Sequence, residues 1–338
     1  MTMVEKKIEN KAEEKEVKTE KKPVKFKLDL DKIVSKVQSG FGKDKSSASK
    51  ISTGTEIWRP TKDEDFIVWR NQDGSKSPFE SLSGIRGIPF NYVVSIEGRP
   101  NSGKSTHALQ FMSLAQQQDC VVLLADTEGK FSADRFDNHF GGKSDQLLIT
   151  TSKMILEIGD HIERMIHAIF EQNPDQKVLI VWDSVGGSLP KNESESSLDA
   201  SKQLAAGAKE NGAVLRGIIR LMEKYQDKES NQAKIALLLI NQSYSNIGSV
   251  GQKGAGGQKV EFHSGLIIQL TRKADITKTV KGVKMKTGIR TRAKVSKNHL
   301  FSGDMSVSEL DLIIDAKSIS LASDKKSEEV DEDEVSDG

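Results

Sequence analysis

From residue 78 onward, short apolar runs alternate with longer amphipathic stretches. NYVVSIEG (91–98), CVVLLADTE (120–128), KVLIVWDS (177–184) and KIALLLINQ (234–242) are rich in β-branched residues and leucine. They read as strands buried on both faces. Between them KSTHALQFMSLAQQQ (104–118), KMILEIGDHIERMIHAIFEQ (153–172) and LAAGAKENGAVLRGIIRLMEKYQ (204–226) carry apolar residues at helical spacing. Later, HSGLIIQLTRK (263–273) and GIRTRAKVSK (288–297) read as further strands, with VKGVKMK (280–286) as a basic turn or hairpin. Strands alternating with helices predict an α/β fold, a mostly parallel twisted sheet flanked by helices. There is no internal repeat at a fixed period.

Upstream the pattern differs. Residues 1–25 are almost entirely Lys, Glu and small polar residues and read as a disordered charged arm. Within 26–45, Leu30, Ile33, Val34, Val37 and Phe41 lie at helical spacing, with Asp29 or Asp31 near the start. This short amphipathic helix precedes the Ser-rich GKDKSSASK, so its apolar stripe needs a partner, either its own domain or a neighbouring copy. The core is expected over 46–320, where Trp58 and Trp69 read as packing residues. An acidic disordered tail is expected over 321–338.

Composition is ordinary for a globular protein, with 36% hydrophobic and 29% charged residues, but the net charge of +1 conceals segregation. Residues 272–297 hold ten Lys or Arg against one Asp, and the last fifteen residues hold eight acids against two Lys. Such a pattern suits a polyanionic partner and a tail competing with it, or a solvated face and a solubilising tail. The single cysteine, Cys120, excludes an intramolecular disulfide framework and fits a reducing compartment. The N-terminus lacks the apolar core of a signal peptide, and no run nears the ~18 apolar residues of a membrane helix. A cytoplasmic protein with no membrane partner is expected.

The chemistry begins at GRPNSGKS (98–105), which fits G-x-x-x-x-G-K-[ST] between a strand and a helix. Gly98 and Gly103 let the backbone curl so that several N–H groups of the loop, which runs through Arg99, Pro100, Asn101 and Ser102, point at the phosphates. Lys104 reaches the terminal phosphates, and Ser105, followed by Thr106, offers a hydroxyl to Mg²⁺. ATP and Mg²⁺ are the expected cofactors. Asp183 ends a buried strand and can hold Mg²⁺ through water, or cap the next segment. Asp126 and Glu128 stand at the carboxyl end of another strand, where open α/β sheets bind ligands. Glu128 is the candidate to deprotonate an attacking water, with a structural turn carboxylate as the alternative. Gln242 ends a strand and can sense the γ-phosphate. The loop after it, SYSNIGSVGQKGAGGQ, has five glycines between 248 and 257, and is disordered or ordered by a ligand.

Taken in order, LSGIRGIPFNYVVSIEGRPNSGKS, ADTEGKFSADRF, LIVWDSVGGSLP, LLINQSYSNIG, GGQKVEFHSGLIIQLTRK and TRAKVSKNHL resemble the RecA/RadA-type recombinases, the DNA strand-exchange ATPases, including their phage (UvsX-like) members. The resemblance covers about 78–315. It implies a RecA-type P-loop core preceded by a short oligomerisation helix. It makes Lys104, Glu128 and Gln242 the catalytic set, Ser105 and Asp183 the metal ligands, and Arg135 an adenine contact. Segments 187–202 and 243–257 would face DNA, with Ile247 as a wedge between bases and Tyr244, Asn246, Gly248, Lys253, Gly256 and Gly257 around it. Lys209 and Arg216, seven residues apart on one helical face, fit phosphate contacts. The bacterial pattern has two lysines that reach a neighbour's nucleotide; this chain has Lys297 and His299.

The resemblance implies a DNA-dependent ATPase that forms a helical filament on single-stranded DNA and exchanges strands with double-stranded DNA in homologous recombination and repair. Single-strand-binding and loading proteins are expected partners, and a bacterial or phage source, with localisation at the host nucleoid, is favoured. The alternatives are a helicase motor on the same core and an ATP-clamped mediator without strand exchange.

Overall fold

A computed structural model describes residues 32, 35, 59–191, 200–227, 232–245, 252–254, 258–281, 283–300 and 309–322. The chain divides into two units, Met1–Arg59 and Pro60–Gly338. In the first, Lys32 and Ser35 are helical, inside the expected amphipathic helix; the arm of 1–25, the rest of that helix and Trp58 lie outside the described residues.

The second unit runs β1 (Phe66–Val68), α1 (Pro78–Ser83), β2 (Gly87–Pro89), β3 (Val93–Gly98), α2 (Lys104–Gln117), β4 (Val121–Asp126), α3 (Ala133–Phe140), β5 (Leu147–Thr150), α4 (Ile155–Gln172), β6 (Val178–Asp183), α5 (Ala200–Lys224), β7 (Ile235–Ser245), β8 (Gln252–Gly254), α6 (Gln258–His263), β9 (Leu266–Val280), β10 (Val283–Asn298), β11 (Glu309–Asp315) and β12 (Ile319–Leu321). The large sheet has the order β12-β11-β10-β9-β3-β7-β6-β4-β5, with β8 paired to β7. From β9 to β5 the strands are parallel; β10, β11 and β12 extend the sheet antiparallel. The expected α/β architecture is present, and the 280–286 segment proves to be the tip of one long hairpin, β9–β10.

Alternate residues of the central strands bury on opposite faces. On one face Leu123, Val178, Ile180, Trp182, Leu237 and Leu239 pack with the stripe Ile155, Ile158, Ile162, Ile166 and Phe170 of α4 and with Val214, Leu215, Ile218 and Met222 of α5. On the other, α2 lies across β4, β6 and β7 and buries Ala108, Phe111, Met112 and Ala115. Trp69 is buried there, its ring edge-on to Phe111 at 5.4 Å and to His107 at 6.3 Å, a packing role as expected.

Several elements were not legible. α3 is eight residues long, and only Phe136 and Phe140 bury, too few to set a period. β5 is a four-residue edge strand with Leu148 and Ile149 exposed. The glycine-rich segment after Gln242 departs from expectation, because β7 continues to Ser245 and pairs antiparallel with β8, placing Tyr244 opposite Lys253. Residues 243–245 and 252–254 thus satisfy their backbone groups on each other. Within the segment 187–202, expected to face DNA, α5 begins at Ala200. Residues 192–199, Asn246, Ile247, Gly248, Gly256, Gly257 and the tail from 323 lie outside the described residues.

Candidate nucleotide-binding site

The loop between β3 and α2 owes its shape to two different glycine requirements. Gly103 has φ of 97°, and a β-carbon there would also come within 2.3 Å of Ile314 Cδ1. Asn101 is left-handed too, at φ 58°. Gly98 is not among the glycines with positive φ, and its requirement is one of space. A β-carbon would meet the Leu270 carbonyl oxygen at 2.5 Å and Ser102 Oγ at 2.6 Å. Gly98 is there so that β9 can approach.

α2 starts at Gly103 with no side chain bonding its first amides. Those amides are therefore open to an anion. Arg99, Pro100, Asn101 and Ser105 are exposed around this N-terminus, while Ser102 Oγ is buried with no hydrogen-bond partner. Lys104 is buried and donates from Nζ to the Arg99 carbonyl at 2.9 Å. Burial holds its pKa below the usual lysine range, against the opposing pull of Asp183 and Glu128.

The carboxylates arrive on neighbouring strands. β4 and β6 pair in register Asp126 to Asp183, and β3 and β7 pair Gly98 to Gln242, so all four positions stand at one carboxyl edge. Asp126 accepts from the backbone N–H groups of Lys130 (3.2 Å) and Phe131 (2.9 Å), closing a turn in which Gly129 has φ of 65°. That turn carries Glu128. Its Oε1 accepts from Ser184 Oγ at 2.7 Å and from Gln242 Nε2 at 2.6 Å, and its Oε2 from Lys130 Nζ at 2.5 Å. Partial burial raises the Glu128 pKa, but the bonds from Lys130, Ser184 and Gln242 outweigh it and hold the carboxyl below its usual range.

Asp183 shows the opposite balance. Burial foremost, with Glu128 and Asp126 beside it, lifts its pKa to about 6, although the Ser105 hydroxyl and Lys104 favour its charged form. The Asp183 carboxylate and the Ser105 hydroxyl, both on one cavity, are oxygen donors of the kind that fits Mg²⁺. Among the described residues no cluster of three His, Cys, Asp or Glu side chains forms a protein cage for a metal.

One cavity is lined by Ser105, Asp183, Glu128, Lys130 and Arg135, with Leu109 and Met112 of α2 on its apolar side. Arg135 donates from Nη2 to Thr106 Oγ1 (2.9 Å) and from Nε to the Ala316 carbonyl (3.4 Å), and lies over the Phe140 ring. Burial pulls its pKa down, partly countered by Asp315. The Thr106 hydroxyl, expected to face nucleotide, is thus engaged by Arg135.

Residues 61–319 match the model of the RecA N-terminal domain. The chain belongs to the RecA family. It is 30% identical to protein RecA of Ureaplasma parvum serovar 3 over 230 residues, 65% of this chain and 61% of that protein. Protein RecA of Malacoplasma penetrans is 28% identical over 272 residues (80% of this chain, 72% of the relative), and that of Arthrobacter sp. 28% over 290 residues (84% and 72%). The chain therefore spans less than two thirds of the length of the Ureaplasma relative.

The remaining expected residues of this RecA-family chain are more scattered. Lys209 and Arg216 are both exposed on α5. Lys297 Nζ bonds the carbonyls of Glu261 (2.8 Å) and Phe262 (3.2 Å) at the end of α6, and His299 is exposed beyond β10. Two direct partners of Glu128, Ser184 and Lys130, escaped the sequence reading. Ser184 is adjacent to Asp183, but nothing local says that its hydroxyl turns toward a carboxylate 56 residues upstream. No described helix is long and apolar enough to cross a membrane.

Proposed function

We propose that this chain is a DNA-stimulated ATPase that forms a filament on single-stranded DNA and exchanges strands with a homologous duplex. The observation that carries the reading is the pair of bonds from Ser184 and Gln242 onto Glu128 Oε1. Gln242 is three residues upstream of the end of β7, at the root of the loop expected to meet DNA. One side chain thus spans a hydrolytic carboxylate and a DNA-facing segment.

In this reading the open amides of α2 and the Lys104 ammonium hold the triphosphate, and Lys104 leaves the Arg99 carbonyl to do so. Ser105 and Asp183 hold Mg²⁺, which neutralises charge developing on the phosphates. Glu128 orients a water and accepts its proton, with Ser184 fixing the carboxylate plane. Arg135 flanks the base, with Leu109 and Met112 as the apolar wall. Gln242 follows the γ-phosphate and shifts β7 and β8, the strand pair bearing Tyr244 and Lys253. Lys209, Arg216 and the basic β9–β10 hairpin meet backbone phosphates, so affinity falls with salt. Lys297 and His299 approach the nucleotide of a neighbouring protomer. Duplex DNA, single-strand-binding and loading proteins are the proposed partners, in a bacterial or phage-infected cytoplasm.

The test is phosphate release from ATP with and without single-stranded DNA, followed by a strand-exchange assay. Stimulation that Lys104→Ala abolishes supports the reading. Equal rates with and without DNA, with ATP still bound, overturn it.

A further inference from the structure

The turn after β4 presents a lysine as well as a carboxylate. Asp126 caps the turn through the backbone N–H groups of Lys130 and Phe131, which fixes where both side chains start. Glu128 lines the cavity and is anchored at Oε1 by Ser184 and Gln242, which leaves Oε2 outside those two bonds. The Lys130 ammonium sits on that oxygen at 2.5 Å. Its side chain is 77% exposed, whereas that of Glu128 is 22% exposed. Of the three donors on the base, Lys130 is thus the one that leaves by rotating a flexible, solvated stem. It lines the same cavity as Ser105 and Asp183, within reach of an anion placed there.

We infer that Lys130 is a positioning residue that covers the reactive oxygen of Glu128 while the site is empty and moves to the terminal phosphate when a triphosphate enters. The inference rests on the role proposed for Glu128. While the ammonium is paired with Oε2 that oxygen is a weaker proton acceptor for a water, and a triphosphate offers the ammonium more negative charge than one carboxylate does. The chain therefore delays its base until substrate is present. A diphosphate lacks the terminal phosphate that would draw the ammonium away, and so leaves the ion pair closed. The other charged groups facing Glu128 are Lys104 of α2 and Asp183 of β6, with Asp126 beneath the turn; the group from β7 is the neutral Gln242.

The experiment compares Lys130→Met and Lys130→Arg with wild type in the full chain. Binding of a non-hydrolysable ATP analogue and of ADP is measured by calorimetry, and kcat/KM for ATP is followed against pH. Lys130→Met is expected to weaken the ATP analogue about fivefold and leave ADP unchanged, the scale of one exposed ion pair. The acid limb of kcat/KM, which reports the free enzyme's base, is expected to move to higher pH as the cation is lost. Lys130→Arg restores both. Unchanged ATP-to-ADP preference together with an unmoved acid limb overturns the inference. Glu128→Gln separates the two ideas. If it still hydrolyses ATP at the wild-type rate, the base assignment itself fails. If it is inactive while Lys130→Met behaves as wild type, only the inference about Lys130 fails.

Discussion

Gln242 Nε2 donates to Glu128 Oε1 at 2.6 Å, joining two side chains 114 residues apart in sequence. The bond exists because β3, β7, β6 and β4 are consecutive in the sheet, which brings the ends of β7 and β4 to one edge. Truncating Gln242 leaves the phosphate loop intact but removes the connection between Glu128 and the strand pair β7–β8. Gln242→Ala is therefore expected to bind ATP normally and to lose about a hundredfold of DNA-stimulated turnover, the scale of a misplaced catalytic group. Steady-state phosphate release with and without single-stranded DNA reads this directly, and retained stimulation would sink the coupling role.

Gly98→Ala tests the close approach of β9. Its β-carbon would lie 2.5 Å from the Leu270 carbonyl oxygen, a backbone atom that cannot rotate away. A loss of about 1–3 kcal/mol is expected from overpacking. Chemical denaturation measures it, and a wild-type midpoint with wild-type nucleotide affinity would contradict the packing argument.

Stability against pH has two opposing contributions. His107 is fully buried and hydrogen-bonded to the Gly103 carbonyl at 2.9 Å; burial drives its pKa from 6.5 to about 4. Between those values the unfolded chain binds more protons, so His107 removes up to about 3 kcal/mol as pH falls from 6.5 to 4. Asp183 is raised from 3.8 to about 6, so the folded state binds the extra proton and gains a similar amount over nearly the same window. Near-cancellation is expected in the wild type. Asp183→Asn should lose stability steeply between pH 6.5 and 4, and His107→Leu should gain it. Denaturant midpoints at pH 7, 6 and 5 decide, and parallel curves for all three proteins would refute the assignment.

Lys209 and Arg216 are exposed on α5 and proposed to meet DNA phosphates. Removing either is expected to weaken single-stranded DNA binding alike for all sequences, and to lower the slope of log K against log salt by about 0.7. Fluorescence titration at several salt concentrations checks this. A weaker affinity with an unchanged slope would place these side chains away from phosphate.

Much of this RecA-family chain was legible in its pattern. The apolar runs ending at Gly98, Asp126, Asp183 and Gln242, and the helices after three of them, follow from local periodicity, because each residue's burial is written every second or every fourth position. The phosphate loop was legible because glycine, lysine and serine at fixed spacing have few other uses between a strand and a helix. Tertiary structure alone decided the rest. Strand order cannot be read from strand identity, so the Glu128–Gln242 bond, the Leu270 contact that requires Gly98, and the Arg135 bond to Ala316, 181 residues away, had no local signal. The same holds for the Lys130 contact with Glu128, which follows from the turn that Asp126 closes. Periodicity records how deeply a residue is buried, whereas chemistry at a sheet edge depends on which strands come to lie side by side.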